Sequence, residues 1–415
     1  MRLLLLEIKR ILKTRTTVIL LFSSLSLAFL MAYIPTTFSF HEYTDAEGNK
    51  VKLTGLASIE YEKRMQADLA GTVTPDKVRQ AVERYQACLT KYGVTNSYDL
   101  PEGVYEEEIM PYAPLLHGVR EIFADPATGI APSIMEIDPE KIDNFYGQCE
   151  RRNASLLEQE QREHPAAQAL AREMYREVEK PFWFFPGYGS NPMDYQVIIA
   201  FLVLLFCTVI TAPVFTSDYQ TGADDILRCT KHGRTKLAGI KILSALLICT
   251  VTFSLCTLIY ITVSDSLFGW ECTKTSMQMI YSVVNLPDMN IGQLQCFLAV
   301  SGLLCTTAAV SFTLFLSSKF KNMVVSLSVA LLFCILPIIV YIALPTAVGN
   351  WVYPVIPASG VGLQTSILYA VIDFDFWNIG KHAVWLPHVM LGAYIIEIPM
   401  FIVLTIRSYS RHNAN

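Results

Sequence analysis

The stretch "VIIAFLVLLFCTVITAPVFTSDYQTGADDILRCTKHGRTKLAGIKILSALLICTVTFSLCTLIYITV", residues 197–263, decides the fold class. It holds two apolar runs, each long enough to cross a hydrocarbon core of about 30 Å, and a polar segment between them that is rich in Lys and Arg. The whole chain of 415 residues is 52% hydrophobic and only 17% charged. This composition excludes an ordinary soluble protein and predicts a protein of the lipid bilayer.

The full pattern predicts an all-α polytopic membrane protein with six transmembrane helices. An amphipathic surface helix, residues 1–15, precedes the first span, because Leu4, Ile8, Ile11 and Leu12 share one helical face. A plain basic flank is the alternative interpretation of that segment. The predicted spans are residues 16–36, 195–216, 237–264, 292–316, 322–344 and 386–407.

Basic residues predict which ends of the spans face the cytoplasm. The two short loops on one side hold only Lys274 and Lys381 as cations. The positive-inside rule therefore predicts a multi-pass protein of the plasma membrane with both termini and residues 217–236 in the cytoplasm. Residues 37–194 are then extracellular, and they contain more Asp and Glu than Lys and Arg. The cations on the opposite side are Arg2, Lys9, Arg10, Lys13, Arg15, Arg228, Lys231, Arg234, Lys236, Lys241, Lys319, Lys321, Arg407 and Arg411.

The extracellular segment 37–194 is predicted to be mainly helical. A turn signal at residues 47–49 predicts a hairpin near its start, and a helix begins at the N-cap Thr74 and stops at Gly93. A single longer helix is expected from Asn153 or Ser155 to Lys180. Cys88 and Cys149 both fall in this segment, and spacing alone leaves open whether they form a disulfide.

Two further external loops follow, residues 265–291 and residues 345–385. The second is too polar and too interrupted by Pro and Gly to be a span. Its apolar piece near residues 363–372 is too short to cross the bilayer, so a re-entrant or interfacial helix is expected there.

Catalytic and cofactor motifs do not occur in the sequence. There is no Gly-x-x-x-x-Gly-Lys-Ser/Thr phosphate loop, no His-Glu-x-x-His and no Gly-x-Ser-x-Gly, and the seven His residues have no metal-ligand spacing. We therefore expect neither an enzyme nor a chain that binds a cofactor, a metal or nucleic acid itself.

The polar segment between the second and third spans predicts a short helix. Gly222 permits a backbone reversal, Asp224 and Asp225 stand where a helix N-terminus favours carboxylates, and Arg228 and Lys231 come toward its end. These features predict two to three turns bounded by Gly222 and Gly233. The alternative is that the cations only enforce the orientation of the spans and that the loop contacts nothing.

A surface helix "LLEIKRILKTR", an external insertion and a loop "DYQTGADDILRCTKHGRTKLAGIK" together resemble the membrane subunits of type-2 ATP-binding-cassette exporters. In that family this loop holds a coupling helix that sits in a groove of a separate ATPase subunit. The family's pattern of acidic residue, Gly, Leu, Gly-Arg and Lys corresponds to Asp218, Gly222, Leu227, Gly233-Arg234 and Lys241, with Asp218 where the family usually has Glu.

The resemblance implies an exporter permease that assembles from two six-span subunits, as a homodimer or heterodimer, with ATP and Mg bound by the partner ATPase. It also implies short helices that dip back from the outer face between the fifth and sixth spans. The residues expected to couple to the ATPase are Asp218, Gly222, Asp224, Asp225, Leu227, Arg228, Lys231, Gly233 and Arg234.

Glu397 is an acidic residue well inside the last span, where lipid exposure is costly. It is a candidate either for helix–helix contact or for lining a transport route.

Two other functions remain open from the sequence. One is a membrane sensor with an extracellular ligand-binding domain, and the other is a membrane enzyme that would use Asp373, Asp375 and His382.

Overall fold

A computed structural model describes residues 2–44, 49–229 and 233–411. These residues are mostly helical, and six of the helices that they form are long and apolar enough to cross a membrane, as the sequence predicts. The chain is therefore a multi-pass membrane protein. The six spanning helices are TM1 (Arg15–Tyr33), TM2 (Asn191–Thr211), TM3 (Thr235–Phe268), TM4 (Ile291–Lys319), TM5 (Met323–Ala343) and TM6 (Leu386–Arg411).

The two ends of this bundle have different contents. At one end, called the terminal end, lie the surface helix (Arg2–Leu12), residues 213–229 and 233–237, the TM4–TM5 loop and the last turns of TM6. At the other, called the domain end, lie residues 34–44, 49–190, 269–290 and 344–385. TM3 has 34 residues and so spans about 50 Å, which carries its last turns beyond the bilayer core into the domain end.

The surface helix packs against TM3 and buries only Ile11. Leu5 and Leu6 on its outer side remain more than half exposed, at 62% and 61%. An exposed apolar stripe beside basic residues is typical of a helix that lies in a lipid interface.

The segment between TM1 and TM2 is mainly helical, with small hairpins. The predicted first hairpin is present as β1 (Phe40–Thr44) and β2 (Lys50–Thr54), although residues 45–48, which hold most of its predicted turn, lie outside the described residues. Its helices are Leu56–Met65, Pro75–Tyr92, Ala113–Ile122, Phe145–Glu160 and Pro165–Glu177, with 3₁₀ turns Ile34–Phe38, Ala67–Leu69, Ser97–Asp99, Met110–Tyr112, Ile134–Glu136 and Pro139–Asn144 and a π turn Tyr105–Ile109. Its strands are β1 (Phe40–Thr44), β2 (Lys50–Thr54), β3 (Gly71–Thr72) and β4 (Trp183–Phe184), paired β1–β2 and β3–β4.

The helix Pro75–Tyr92 confirms the predicted boundaries. Thr74 caps it by accepting a hydrogen bond from the amide of Lys77, and Gly93 closes it in the left-handed conformation at φ 67°. A polar side chain that satisfies the first free amides and a glycine that ends the last turn define a helix locally, which is why its ends could be predicted.

The prediction of a single helix ending at Lys180 is wrong, because the structure has two helices there. The first ends at Glu160 and the second begins at Pro165. A proline has no amide hydrogen to donate and disfavours helical backbone in the residue before it, here His164 at ψ 72°. The break turns the second helix back over the domain.

The loop 265–291 is part of the domain rather than a free connection. Asn153 Nδ2 donates to the carbonyl of Val284, and the Tyr175 hydroxyl donates to the carbonyl of Val283 at 2.8 Å. One apolar core runs from these helices into TM2, TM4 and TM6. Cys88 and Cys149 are both buried in this core as free thiols that are not joined to each other.

The segment between TM5 and TM6 contains short helices, as expected, but also a hairpin that was not predicted. The apolar piece forms the helix Ile367–Ile372, whose six residues rise only about 9 Å. Its α-helices are Thr346–Val352 and Ile367–Ile372, and its 3₁₀ turns are Tyr353–Val355 and Ser359–Val361. The hairpin consists of β5 (Phe376–Ile379) and β6 (His382–Trp385).

Candidate functional site

The terminal end holds the residues that the sequence singles out for coupling. TM2 ends there at a kink, because Pro213 cannot donate the next helical hydrogen bond. The Ser317 hydroxyl at the end of TM4 fills the gap: it donates to the carbonyl of Ala212 at 2.6 Å and accepts from the amide of Phe215 at 3.1 Å. TM4 is thereby bound to the kink in TM2.

After the kink the helix continues as Pro213–Thr221 and then reverses at Gly222. Gly222 has φ 68°, a left-handed conformation that side chains with Cβ rarely adopt, and its amide closes the preceding helix on the carbonyls of Asp218 and Tyr219. The backbone reversal expected at this glycine is therefore present.

A short helix, called the loop helix (Ala223–Arg228), follows Gly222 directly. It is shorter than the two to three turns predicted, because the amide of Cys229 bonds the carbonyl of Ile226, a tighter bond that closes the last turn. The chain starts TM3 at Thr235.

The predicted coupling residues are distributed over different surroundings. Gly222, Asp225 and Arg234 are exposed, Leu227 is half-buried, and Asp218, Asp224 and Gly233 are buried. The side chain of Arg228 and the whole of Lys231 lie outside the described residues.

The most exposed apolar side chain of the loop helix is one that sequence reasoning missed. Ile226 has 74% of its surface exposed. The available signal in the sequence was an isoleucine inside a polar loop. Asp225 beside it is exposed as well.

Asp218 is the centre of a charge network, called the joint, that links three elements. Its Oδ1 accepts from Arg10 of the surface helix at 2.8 Å, and its Oδ2 accepts from Lys241 of TM3. Arg10 and Lys241 each also donate to the carbonyl of Val214 at 3.2 Å. Glu7, three residues before Arg10, adds an ion pair to the guanidinium at 2.9 Å.

The joint is buried. Lys241 has no exposed surface and Asp218 is 4% exposed, so neither reaches a partner directly. Removing a carboxylate and an ammonium group from water is costly unless each finds its opposite charge and further hydrogen bonds, and both conditions are met here. Asp218 is therefore a positioning residue that fixes the helix Pro213–Thr221, directly before the loop helix, relative to the surface helix and TM3.

Glu397 lies on the buried face of TM6, together with Met390, Tyr394 and Phe401. Glu397 is 8% exposed as a whole residue, and its Oε2 has no hydrogen-bond partner among the described residues. Tyr394, one turn earlier, is fully buried and forms a 2.8 Å hydrogen bond with the Ser359 hydroxyl. Glu397 thus faces the interior of the bundle, as the cost of lipid exposure predicts.

The three residues considered for an enzyme do not form one site. Asp373 and Asp375 line a cavity at the domain end, whereas His382 begins β6, is exposed and does not line that cavity. The histidine in the cavity wall is His164 instead.

Comparison of the sequence with protein-family models and with curated proteins gives no match.

Proposed function

We propose that the chain is the membrane-spanning subunit of an exporter and that a separate cytoplasmic ATPase drives it by binding to the loop helix. The resemblance to type-2 ATP-binding-cassette permeases suggests this role, and the order of surface helix, span, inserted domain and five further spans agrees with it.

The observation that carries the proposal is the combination of an exposed apolar tip with a buried joint. Ile226 offers a partner an apolar anchor that is 74% exposed, and exposed apolar side chains of this kind are favoured at the centre of protein interfaces. Asp218 lies in the helix just before the Gly222 reversal and bonds that helix to Arg10 and Lys241.

Movement of the loop helix would therefore reach several elements at once. The helix Pro213–Thr221, which leads directly into the loop helix, is connected by the joint to the surface helix and TM3, and Ser317 connects the start of the same helix to TM4. Rigid elements joined by packed contacts and hydrogen bonds are what transmits such a displacement across a protein. A partner that pushes on Ile226 would shift TM2, TM3 and TM4 together.

A second subunit completes the proposal. TM1 and TM5 leave most of their apolar side chains uncovered within one chain, including Phe22 at 73% and Val324 at 67% exposed. These faces are available to lipid and to a second copy or a related permease, as a dimeric exporter requires.

Co-purification from the native membrane in mild detergent tests the proposal. We expect a nucleotide-binding ATPase subunit with the wild-type chain and its loss in Ile226→Asp, because a charge at the centre of an apolar contact is left desolvated. Lys321→Asp is the matched control, since it places an aspartate in the exposed TM4–TM5 loop at the same end of the bundle and should retain the partner.

If the wild type brings down no ATPase, or if Ile226→Asp retains it in full, the proposal is wrong. Recovery of a signalling partner in place of an ATPase would favour the sensor, which would use the same exposed helix to pass on a signal from the domain end.

A further inference from the structure

The domain end contains a cavity of about 760 Å³, within the range that ligand sites of drug size occupy. It opens where the break between the helices Phe145–Glu160 and Pro165–Glu177 meets the TM5–TM6 segment. Its lining residues include Glu160, His164, Asn285, Trp351, Asp373, Asp375 and Trp377.

The cavity is strongly acidic. Glu160, Asp373 and Asp375 line it together, and none of the described lining residues is Lys or Arg. Burial, with the charges of Asp373 and Glu160, raises the pKa of Asp375 to about 6. The pKa of Asp373 is raised by burial and by Glu160. Carboxylates that repel one another in this way are stabilised by a cation placed between them.

One wall of the cavity is aromatic. The rings of Trp351 and Trp377 stack with centroids 4.6 Å apart and planes 25° apart. The Trp377 Nε1 donates to the carbonyl of Asn350 at 2.7 Å, which fixes the orientation of the indole. Indole faces attract cations and also cover apolar groups, so this wall suits a ligand that has both.

The side-chain oxygen of a buried asparagine at this cavity also lacks a hydrogen-bond partner among the described residues. Asn285 is only 1% exposed, and its Nδ2 donates to the carbonyl of Ile372 at 2.9 Å. Its Oδ1 has no hydrogen-bond partner among the described residues, although buried acceptors are nearly always paired. An N–H group of a bound ligand would satisfy it.

We propose that this cavity binds a small organic cation, with its ammonium group held by Asp373, Asp375 and Asn285 and its apolar body against Trp351 and Trp377. A bare metal ion fits less well, because no group of three or more His, Cys, Asp and Glu among the described residues is arranged to hold one. An indole wall offers a metal ion no ligand atom either.

The inference does not depend on the ATPase. The cavity is at the domain end and the loop helix at the terminal end, so binding of a cation here and docking of a partner there are measured separately. Either can fail while the other stands.

Binding is tested on the full chain in lipid nanodiscs with phenethylammonium as the probe and 2-phenylethanol as its neutral match of similar size, with empty nanodiscs to subtract partition into lipid. Calorimetry or quenching of tryptophan fluorescence reports the dissociation constant. We expect phenethylammonium to bind at least about tenfold more tightly than the alcohol, since charge-assisted hydrogen bonds are roughly twice as strong as neutral ones.

Two substitutions locate the site. Asp375→Asn keeps the shape of the side chain and can still accept the 3.2 Å bond from Asn350, and we expect it to weaken phenethylammonium binding about tenfold. Trp351→Leu should weaken it about threefold or more through loss of the cation–π contact.

Glu160→Gln and Glu163→Gln form a matched pair on the same exposed turn, because only Glu160 lines the cavity. The first should weaken binding and the second should leave it unchanged. Equal binding of the amine and the alcohol would overturn the proposal. So would unchanged affinity in Asp375→Asn, or stoichiometric binding of Ca²⁺ that excludes the amine.

Discussion

The joint makes a quantitative prediction about Asp218→Asn. This change keeps the size of the side chain and removes the carboxylate that bonds both Arg10 and Lys241. Lys241 has no exposed surface, so its ammonium group would stay buried without the carboxylate that it bonds directly. Breaking a buried pair in this way costs about 3–5 kcal/mol of folding free energy. The share of Arg10 is smaller, about 1 kcal/mol or less, because 38% of its side chain is exposed and water can solvate it.

Reversible unfolding in mixed micelles of dodecyl maltoside and SDS, followed by tryptophan fluorescence, measures this cost. Lys241→Met should cost less than Asp218→Asn, because Asp218 then keeps the guanidinium of Arg10. In the double variant the unpaired ammonium is gone, so its cost should fall short of the sum of the two single costs by about 1–3 kcal/mol.

Asp225→Asn is the control, since Asp225 is exposed on the loop helix and its loss should change the unfolding free energy by about 0.5 kcal/mol or less. A cost below about 1 kcal/mol for Asp218→Asn, or strict additivity in the double variant, would refute the reasoning that the joint is a desolvated charge network.

Three further outcomes are expected. Gly222→Ala should destabilise the fold by about 1–2 kcal/mol, because Gly222 has a left-handed φ of 68°. Gly239→Ala inside TM3 should be neutral or stabilising. Neither added methyl group clashes with a neighbour, so equal effects on the unfolding free energy would contradict the backbone argument. Glu397→Gln should change the unfolding free energy by no more than about 1 kcal/mol, because the Oε2 it replaces has no hydrogen-bond partner to lose among the described residues, and a loss above about 2 kcal/mol would reveal one. Phenethylammonium affinity should fall about tenfold between pH 7.5 and pH 5, because a bound cation favours ionised Asp375, whose pKa is about 6, and protonation below that value removes the attraction. Glu160, His164 and Asp373 also line the cavity, and Tyr353 lies close by. Asp375→Asn keeps these groups, so it should show a much weaker pH dependence if Asp375 is the source of the effect.

The parts of this fold that could be predicted are those that a short window of sequence encodes. About 20 consecutive apolar residues can only be a span, and the pattern from Thr74 to Gly93 contains its own cap, apolar face and stop. Gly222 likewise announced a reversal of the backbone. In each case the energetics are local, so no knowledge of the rest of the chain is needed.

The parts that could not be predicted depend on residues far apart in the chain. Arg10 and Asp218 are 208 positions apart, and Gln161 reaches the carbonyl of Phe374 across 213. Lys241 lies about one turn and a half into an apolar run; its sequence context assigns it to the orienting cations and to the family pattern, but not to a buried ion pair. The hairpin β5–β6 had a signal in Gly380, which lies between its strands at φ 60°, but the surrounding aromatic residues hid it.

Asp218 and Asp375 differ in how far their charge is compensated, and this difference distinguishes a carboxylate that stabilises the fold from one that can bind a ligand. Asp218 has two cations on its two oxygens, so further ligands would gain little from it and its removal harms the fold. Among the described residues the side chain of Asp375 accepts a hydrogen bond from the amide of Asn350 and forms no ion pair, and two other acidic residues line the same cavity. Such a site is unfavourable when empty and becomes favourable when a cation arrives, because the ligand supplies the charge that the fold withholds. A carboxylate that is paired within the protein, such as Asp218, stabilises the packing of helices, whereas a carboxylate without an ion pair in a cavity, such as Asp375, can bind a cationic ligand.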